Sequence, residues 1–217
     1  SGFYYFDGSG WSLIAASKSL NNLSTPTAVN VNLLPETNNS KNLGSGNKGW
    51  KNLYLTGSLY VGGFRFIDNS GTSNTFIGIT GNTTNTGTAN SFVGHNAGLS
   101  NTSGSGNSFL GTGAGFFNMT GAANSFFGNQ AGYSNKANAN SFFGNLAGYS
   151  NTTGTQNSFF GMETGKSNSI GNNNSFIGMR SGYYNTSGHE NTATGTISLF
   201  SNISGSANTA NGYGALF

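Results

Sequence analysis

The sequence contains no cysteine and only two prolines, and its 217 residues include just eight basic and five acidic side chains. The absence of cysteine excludes a disulfide framework and suits an exported protein and a cytosolic one equally. The basic residues are separated by neutral stretches, whereas a nucleic-acid-binding surface normally needs a dense basic stripe. No apolar run approaches the ~20 residues of a membrane helix, and the N-terminus lacks a signal segment. We therefore expect no nucleic-acid partner and no membrane insertion in this segment.

Groups that carry catalysis or bind metals are equally scarce. The histidines are His95 and His189, and their spacing does not bring them together. A paired-acid glycosidase site would need residues from different chains, because the carboxylates are spread along the whole length at Asp7, Glu36, Asp68, Glu163 and Glu190. Calcium-binding β-helix repeats carry an aspartate in each unit, and the repeats of this chain have none. We expect no enzymatic activity, no cofactor and no metal site.

The chain is rich in glycine, asparagine and aromatic residues, and it is repetitive. Low charge combined with 18 phenylalanines and nine tyrosines argues against disorder, so the aromatic rings must be buried. The phrase Asn-(Ser/Thr)-(Phe/Ala)-x-Gly restarts every 16 or 17 residues, at Asn74, Asn90, Asn107, Asn124, Asn140, Asn157, Asn174, Asn191 and Asn208. A fixed short period indicates that each unit is one coil that must stack on its neighbours.

The residues within one unit, counted from the opening asparagine as position 1, predict strands rather than helices. Glycine recurs every few residues, which would cost a helix about 1 kcal/mol each time, and no helical spacing is present. Two short extended pieces per unit are expected, in which positions 1, 3 and 5 share one face and positions 2 and 4 share the other. The predicted fold is all-β, a parallel β-solenoid of about nine coils.

Positions 3 and 9 change together along the chain. Position 3 is phenylalanine until it becomes Ala193 and Ala210, and position 9 becomes leucine in those same units after a run of glycines. A large-small pair that becomes a small-large pair conserves volume, so positions 3 and 9 should touch inside each coil. The predicted coil core is Phe76, Phe92, Phe109, Phe126, Phe142, Phe159, Phe176, Leu199 and Leu216.

Position 4 forms a second apolar row on the opposite face. Its apolar members are Ile77, Val93, Leu110, Phe127, Phe143, Phe160 and Ile177. Stacked at a strand spacing of about 4.8 Å, they would form a stripe that a soluble monomer should not expose. We expect another copy of the chain to cover this row around a symmetry axis. The alternative is that a bulge at the position-5 glycine turns both rows inward in a wider coil.

The nine opening asparagines and those at position 12 predict structural ladders. Stacked identical amides can hydrogen-bond along a solenoid, and asparagine also tolerates left-handed turns, so both roles are open. The glycine at position 5 should supply a positive φ at a corner. Two binding alternatives remain: the hydroxyl row at position 2 could order water as an ice-binding face does, and an exposed tyrosine ladder could stack sugars. That ladder comprises Tyr133, Tyr149, Tyr183 and Tyr184. The alternative is that these tyrosines pack at corners of the coil or between chains.

Residues 1–70 do not share the period. Asp7-Gly8 and Gly46-Asn47 read as tight turns, and the alternation from Leu53 to Phe66 indicates strands. We therefore predict an N-terminal hairpin-rich neck over 1–70 and the solenoid over 71–217. The chain stops at Phe217 within the ninth unit, so any further domain is expected to lie outside this sequence.

The chain also contains a set of short motifs, namely Asn42-Leu43-Gly44-Ser45, Trp50-Lys51-Asn52-Leu53-Tyr54-Leu55, Gly57 and the Asn-Thr-Ala-x-Gly units at Asn191 and Asn208. In these motifs the chain resembles bacterial and phage tail-fibre-like proteins. In that family the stalk often precedes an endosialidase-type intramolecular chaperone. The coils are also similar to the heads of trimeric autotransporter adhesins, although the period here is longer. The resemblance implies a homotrimeric, extracellular fibre that meets a glycan-bearing surface or a cell-surface receptor.

The predicted function is therefore structural and adhesive, without catalysis. Identical chains would hold several weak sites at fixed spacing, so that avidity replaces affinity. The alternatives are a solitary solenoid with a glycan- or ice-binding face and a subunit that associates end to end into filaments.

Overall fold

The computed structural model describes residues 3–6, 9, 11–14, 59–61, 64–68, 73–78 and 85–217. The chain divides into two compact units, Ser1–Leu53 and Tyr54–Phe217. In the first unit, strands β1 (Phe3–Phe6) and β2 (Trp11–Ile14) pair antiparallel, with Phe3 opposite Ile14 and Phe6 opposite Trp11. The predicted turns at Asp7-Gly8 and Gly46-Asn47 lie outside the described residues, as does the tail-fibre-like stretch from Asn42 to Gly57.

The second unit contains one sheet of 11 strands, β3 to β13 in chain order. Strands β3 (Leu59–Val61) and β4 (Phe64–Asp68) pair antiparallel, and β4 pairs antiparallel with β5. From β5 onward all pairs are parallel and in register. These strands are β5 (Thr75–Ile77), β6 (Ser91–Val93), β7 (Ser108–Leu110), β8 (Ser125–Phe127), β9 (Ser141–Phe143), β10 (Ser158–Phe160), β11 (Ser175–Ile177), β12 (Thr192–Thr194) and β13 (Thr209–Asn211). The predicted all-β parallel solenoid is confirmed.

In the described residues each coil, numbered by its repeat, contains one strand rather than the expected two. The strand covers positions 2 to 4, and turns make up most of the remainder. Positions 7 and 9 are left-handed, as at Leu146 and Gly148, both with φ 58°, and this conformation cannot continue a strand. Backbone hydrogen bonds still join the coils, since the Gly98 N–H donates to the Ala114 carbonyl over 2.9 Å and that of Ser100 to Phe116 over 3.0 Å.

The apolar core is a single stack of phenylalanine rings. Position-3 side chains from Phe76 to Phe176 are at most 4 % exposed. Their ring centroids lie 4.8 to 5.0 Å apart with interplanar angles of 4 to 10°. In-register parallel strands place identical residues one strand spacing apart, which explains the regular stack.

Position 9 faces the same space as position 3. Gly148 has φ 58° and a Cβ there would lie 2.5 Å from the Phe142 ring, so only glycine fits beside phenylalanine. In coil 8 the ring is missing at Ala193, and Leu199 occupies the space with φ 50° and 3 % exposure. Leu216 was expected in the core as well, but this residue of coil 9 is 59 % exposed.

Two asparagine ladders form a polar core beside the rings. At position 1, the Asn90 side chain donates to the Gly104 carbonyl over 2.8 Å and accepts the Asn107 backbone N–H over 3.0 Å. At position 12, Asn101 donates to the side-chain oxygen of Asn85 over 2.7 Å. Among the described residues no buried side-chain nitrogen or oxygen lacks a partner. The asparagines at positions 1 and 12 therefore form hydrogen-bonded ladders. They do not adopt left-handed turns, because the residues with positive φ are at other positions of the repeat.

Candidate interaction surfaces

The outer face of the parallel strands carries the position-4 row. Leu110, Phe160 and Ile177 are 40 to 47 % exposed, and the Ile77, Val93, Phe127 and Phe143 side chains are half-buried. The rings of Phe127, Phe143 and Phe160 stack 4.8 Å apart on this outer surface. The row thus lies outside the coil, and the wider coil with both rows inward is not formed. Whether a second chain covers the row stays a prediction.

Further exposed side chains lie close in sequence to that row. Position 6, just beyond the strand, carries Met162 and Met179, which are 44 % and 40 % exposed, in the two coils that contain Phe160 and Ile177. Position 2 carries a hydroxyl in every coil, with threonine at Thr75, Thr192 and Thr209 and serine between them. These hydroxyls are exposed or half-buried. The outer sheet face is therefore an apolar stripe bordered by a row of hydroxyls.

A second aromatic ladder runs along position 10. The Tyr133 ring stacks on Phe116 and on Tyr149, each at 5.1 Å, and the Tyr183 ring stacks on Phe200 at 5.3 Å. Stacked rings turn their faces toward one another along the solenoid and their edges outward. A sugar packs on a ring face, so Tyr133 and Tyr183 present little of the surface that sugar stacking needs.

Tyr184, at position 11, has a different orientation from those tyrosines. Its ring is nearly perpendicular to Tyr183 and to Phe200, with interplanar angles of 78° and 80°, and it is 47 % exposed. Phe117 repeats this arrangement in coil 3, where it makes perpendicular contacts with Phe116 and Tyr133 and is 42 % exposed. Sequence reasoning grouped Tyr184 with the ladder and missed Phe117, although two adjacent aromatics at positions 10 and 11 mark both places.

An ionic cluster interrupts the position-10 ladder in coil 6. Lys166 takes the place of an aromatic residue, with its Nζ 2.7 Å from Glu163 Oε1 and 5.5 Å from the Tyr183 ring centre. Arg180 Nε lies 2.6 Å from Glu163 Oε2. Hydrogen bonds from Lys166 and then Arg180 lower the pKa of Glu163, and the bond to Glu163 raises the pKa of Lys166. The sequence signal for this cluster is a lysine at position 10, where six of the other eight coils have an aromatic ring.

The described residues offer no grouping of three histidine, cysteine or acidic side chains that would suit a metal ion. His95 and His189 are both exposed, at positions 6 and 16 of different coils. No helix in the described part of the chain is long and apolar enough to span a membrane. Comparison with known proteins finds no matching family model, curated protein or solved structure.

Proposed function

We propose that this chain is a segment of an extracellular structural and adhesive fibre, in which three copies of the solenoid associate side by side along the position-4 row. The observation that carries the proposal is the outward row of seven apolar side chains in successive coils. Seven coils at about 4.8 Å per step give a stripe about 29 Å long. A contiguous stripe of this kind marks an interaction surface.

The periodicity of the row favours another copy of the chain as its partner. A second solenoid has the same step between coils, so it offers an apolar side chain opposite each one over the whole length. Closed rotational symmetry then buries the row of every chain against its neighbours. The remaining faces stay outside, where identical chains present repeated weak sites to a glycan-bearing surface or a receptor and bind by avidity.

The test is the solution mass measured by light scattering over a range of concentrations. We expect about three times 22.3 kDa for the wild type and a smaller mass for Phe143→Asp, because a buried unpaired carboxylate is unfavourable. Thr153→Asp is the matched control, since Thr153 is exposed in the same coil but lies away from the strand. It should leave the mass unchanged.

Circular dichroism on each variant separates loss of assembly from loss of folding. A folded wild-type monomer at all concentrations would refute the proposal and favour a solitary solenoid with a flat binding face. An unaltered oligomer in Phe143→Asp would refute the assignment of the interface to position 4.

A further inference from the structure

We infer that the groove beside Tyr184 binds a neutral saccharide, with the outer face of the Tyr184 ring as its stacking platform. This inference rests on the proposed adhesive role and adds to it a site and a class of ligand.

The orientation of Tyr184 follows from its two ring contacts. Its centroid is 4.7 Å from that of Tyr183 and 5.1 Å from that of Phe200, and those two rings stack on each other at 5.3 Å. Perpendicular rings at these separations are in edge-to-face contact. One face of Tyr184 therefore covers the edges of both neighbours, and its opposite face points away from them. This opposite face can receive the C–H groups of a sugar ring, which are weakly positive and attracted to the negative aromatic face.

The residues that line the groove beside the ring supply hydroxyl groups, and none of them is charged. The groove has a volume of about 330 Å³ and is lined by Ser167, Tyr184, Thr186, Ser201 and Ile203. Ser167 and Ser201 occupy position 11 in the coils before and after Tyr184, which places one hydroxyl on each side of the ring along the solenoid. Among the described residues neither hydroxyl has a hydrogen-bond partner within the protein. Both are therefore free to exchange hydrogen bonds with a polyol.

The remaining contacts of the groove are uncharged. The nearest ionic cluster is not part of the groove lining, and there Glu163 binds both Lys166 and Arg180, which leaves the cluster with one net positive charge. Thr186 Oγ1 donates to the Ile203 carbonyl over 2.9 Å and keeps its lone pairs as acceptors. Ile203, 63 % exposed, adds an apolar contact at the edge of the groove. An aromatic platform with hydroxyls and an aliphatic edge fits a neutral sugar better than a sulfated or sialylated one.

The experiment measures binding of biotinylated neutral hexasaccharides of glucose, galactose, mannose or xylose to the full chain by biolayer interferometry. We expect at least one of them to bind, with at least tenfold loss of affinity in Tyr184→Ser and little loss in Tyr184→Phe. Tyr184→Ser should fold normally, because serine occupies position 11 in most other coils, namely at Ser100, Ser134, Ser150, Ser167 and Ser201.

Ser134→Tyr provides a gain-of-function test in the Tyr184→Ser background. Tyr133 and Tyr149 are stacked in adjacent coils at 5.1 Å with an interplanar angle of 5°. A new ring at position 134 would cover the edge of Tyr149 and would share the edge of Tyr133 with Phe117, which already packs against it. We expect binding to return in part. A heparin hexasaccharide serves as the charged comparison.

Failure to bind any neutral hexasaccharide, or equal binding by Tyr184→Ser, would overturn the inference. Preferential binding of the heparin probe would overturn the assignment of the ligand to neutral saccharides. The solution mass of each sample keeps the two proposals distinct. An assembled wild type that binds none of the neutral probes refutes the saccharide site alone, whereas a monomer that binds through Tyr184 refutes the assembly alone.

Discussion

The large-small exchange between positions 3 and 9 can be tested by introducing the alanine–leucine pair of coil 8 into a coil that has phenylalanine and glycine. Coil 5 pairs Phe142 with Gly148, and coil 8 fills the same space with Ala193 and Leu199. We predict that Phe142→Ala and Gly148→Leu are each strongly destabilising, and that the double substitution is much less destabilising than their sum. The reason is that the leucine would enter the space that the phenylalanine ring leaves.

The magnitudes follow from the packing. Phe142 is fully buried between rings at 4.9 and 4.8 Å, so its truncation should cost about 3–5 kcal/mol. Gly148→Leu would overpack against that ring, at about 1–3 kcal/mol, and would add about 1–2 kcal/mol for a left-handed leucine. Independent effects would sum to about 5–10 kcal/mol. The double variant retains the left-handed cost and loses two ring stacks of about 0.5–1.5 kcal/mol each, in total about 2–5 kcal/mol.

Urea unfolding followed by circular dichroism gives the comparison, with midpoints and slopes recorded for the wild type and the three variants. The control pairs Gly148→Leu with Phe126→Ala, one coil away, which leaves the clash with Phe142 in place and should give no recovery. A double variant as unstable as the sum of its two single changes would refute the idea that positions 3 and 9 share one volume.

Two further predictions concern polar groups. Asn140→Ala should lower the free energy of unfolding by about 1–3 kcal/mol, because it leaves the buried Asn157 N–H without its acceptor, while the Gly154 carbonyl keeps its hydrogen bond from Asn151. A loss below about 1 kcal/mol in urea unfolding would contradict the role of the ladder. The hydrogen bonds from Lys166 and Arg180 lower the pKa of Glu163 below its ordinary value of 4.5. The ionised Glu163 therefore stabilises the folded protein above about pH 4.5, and this stabilisation is lost as the pH falls through the lowered pKa of the folded state. Glu163→Gln should therefore be less stable than the wild type at neutral pH and the difference should shrink in acid, whereas a pH-independent difference would contradict the ion-pair explanation.

The repeat pattern predicted the fold because alternation along a strand determines, residue by residue, which face each side chain is on. Phe142 and Phe143 are adjacent in sequence, and strict alternation alone places the first inside the coil and the second outside. The opening asparagines were predictable as a ladder because in-register stacking brings identical amides together.

The second predicted strand was wrong for a local reason. Position 9 carries glycine in most coils, but position 7 has residues as different as Leu146, Glu163 and Arg180, all with positive φ between 55 and 58°. No single residue type marks this left-handed position, so the pattern does not reveal that the coil turns there. The orientation of Tyr184 was equally hidden, because it depends on two rings in different coils. The partner of the position-4 row depends on a second surface, which a repeat does not specify.

The ionic cluster of coils 6 and 7 also affects the order in which the coils stack. Nearly identical coils stack almost equally well on any neighbour, so a chain that looped out 17 residues while folding would lose little stacking and end one coil short. The bridge from Glu163 to Arg180 joins two particular coils. If coil 7 were skipped, Glu163 would meet Ile197, the position-7 residue of coil 8, and would lose one of its two cations. The bridge thus favours the arrangement in which coil 7 follows coil 6 over one in which coil 7 is skipped.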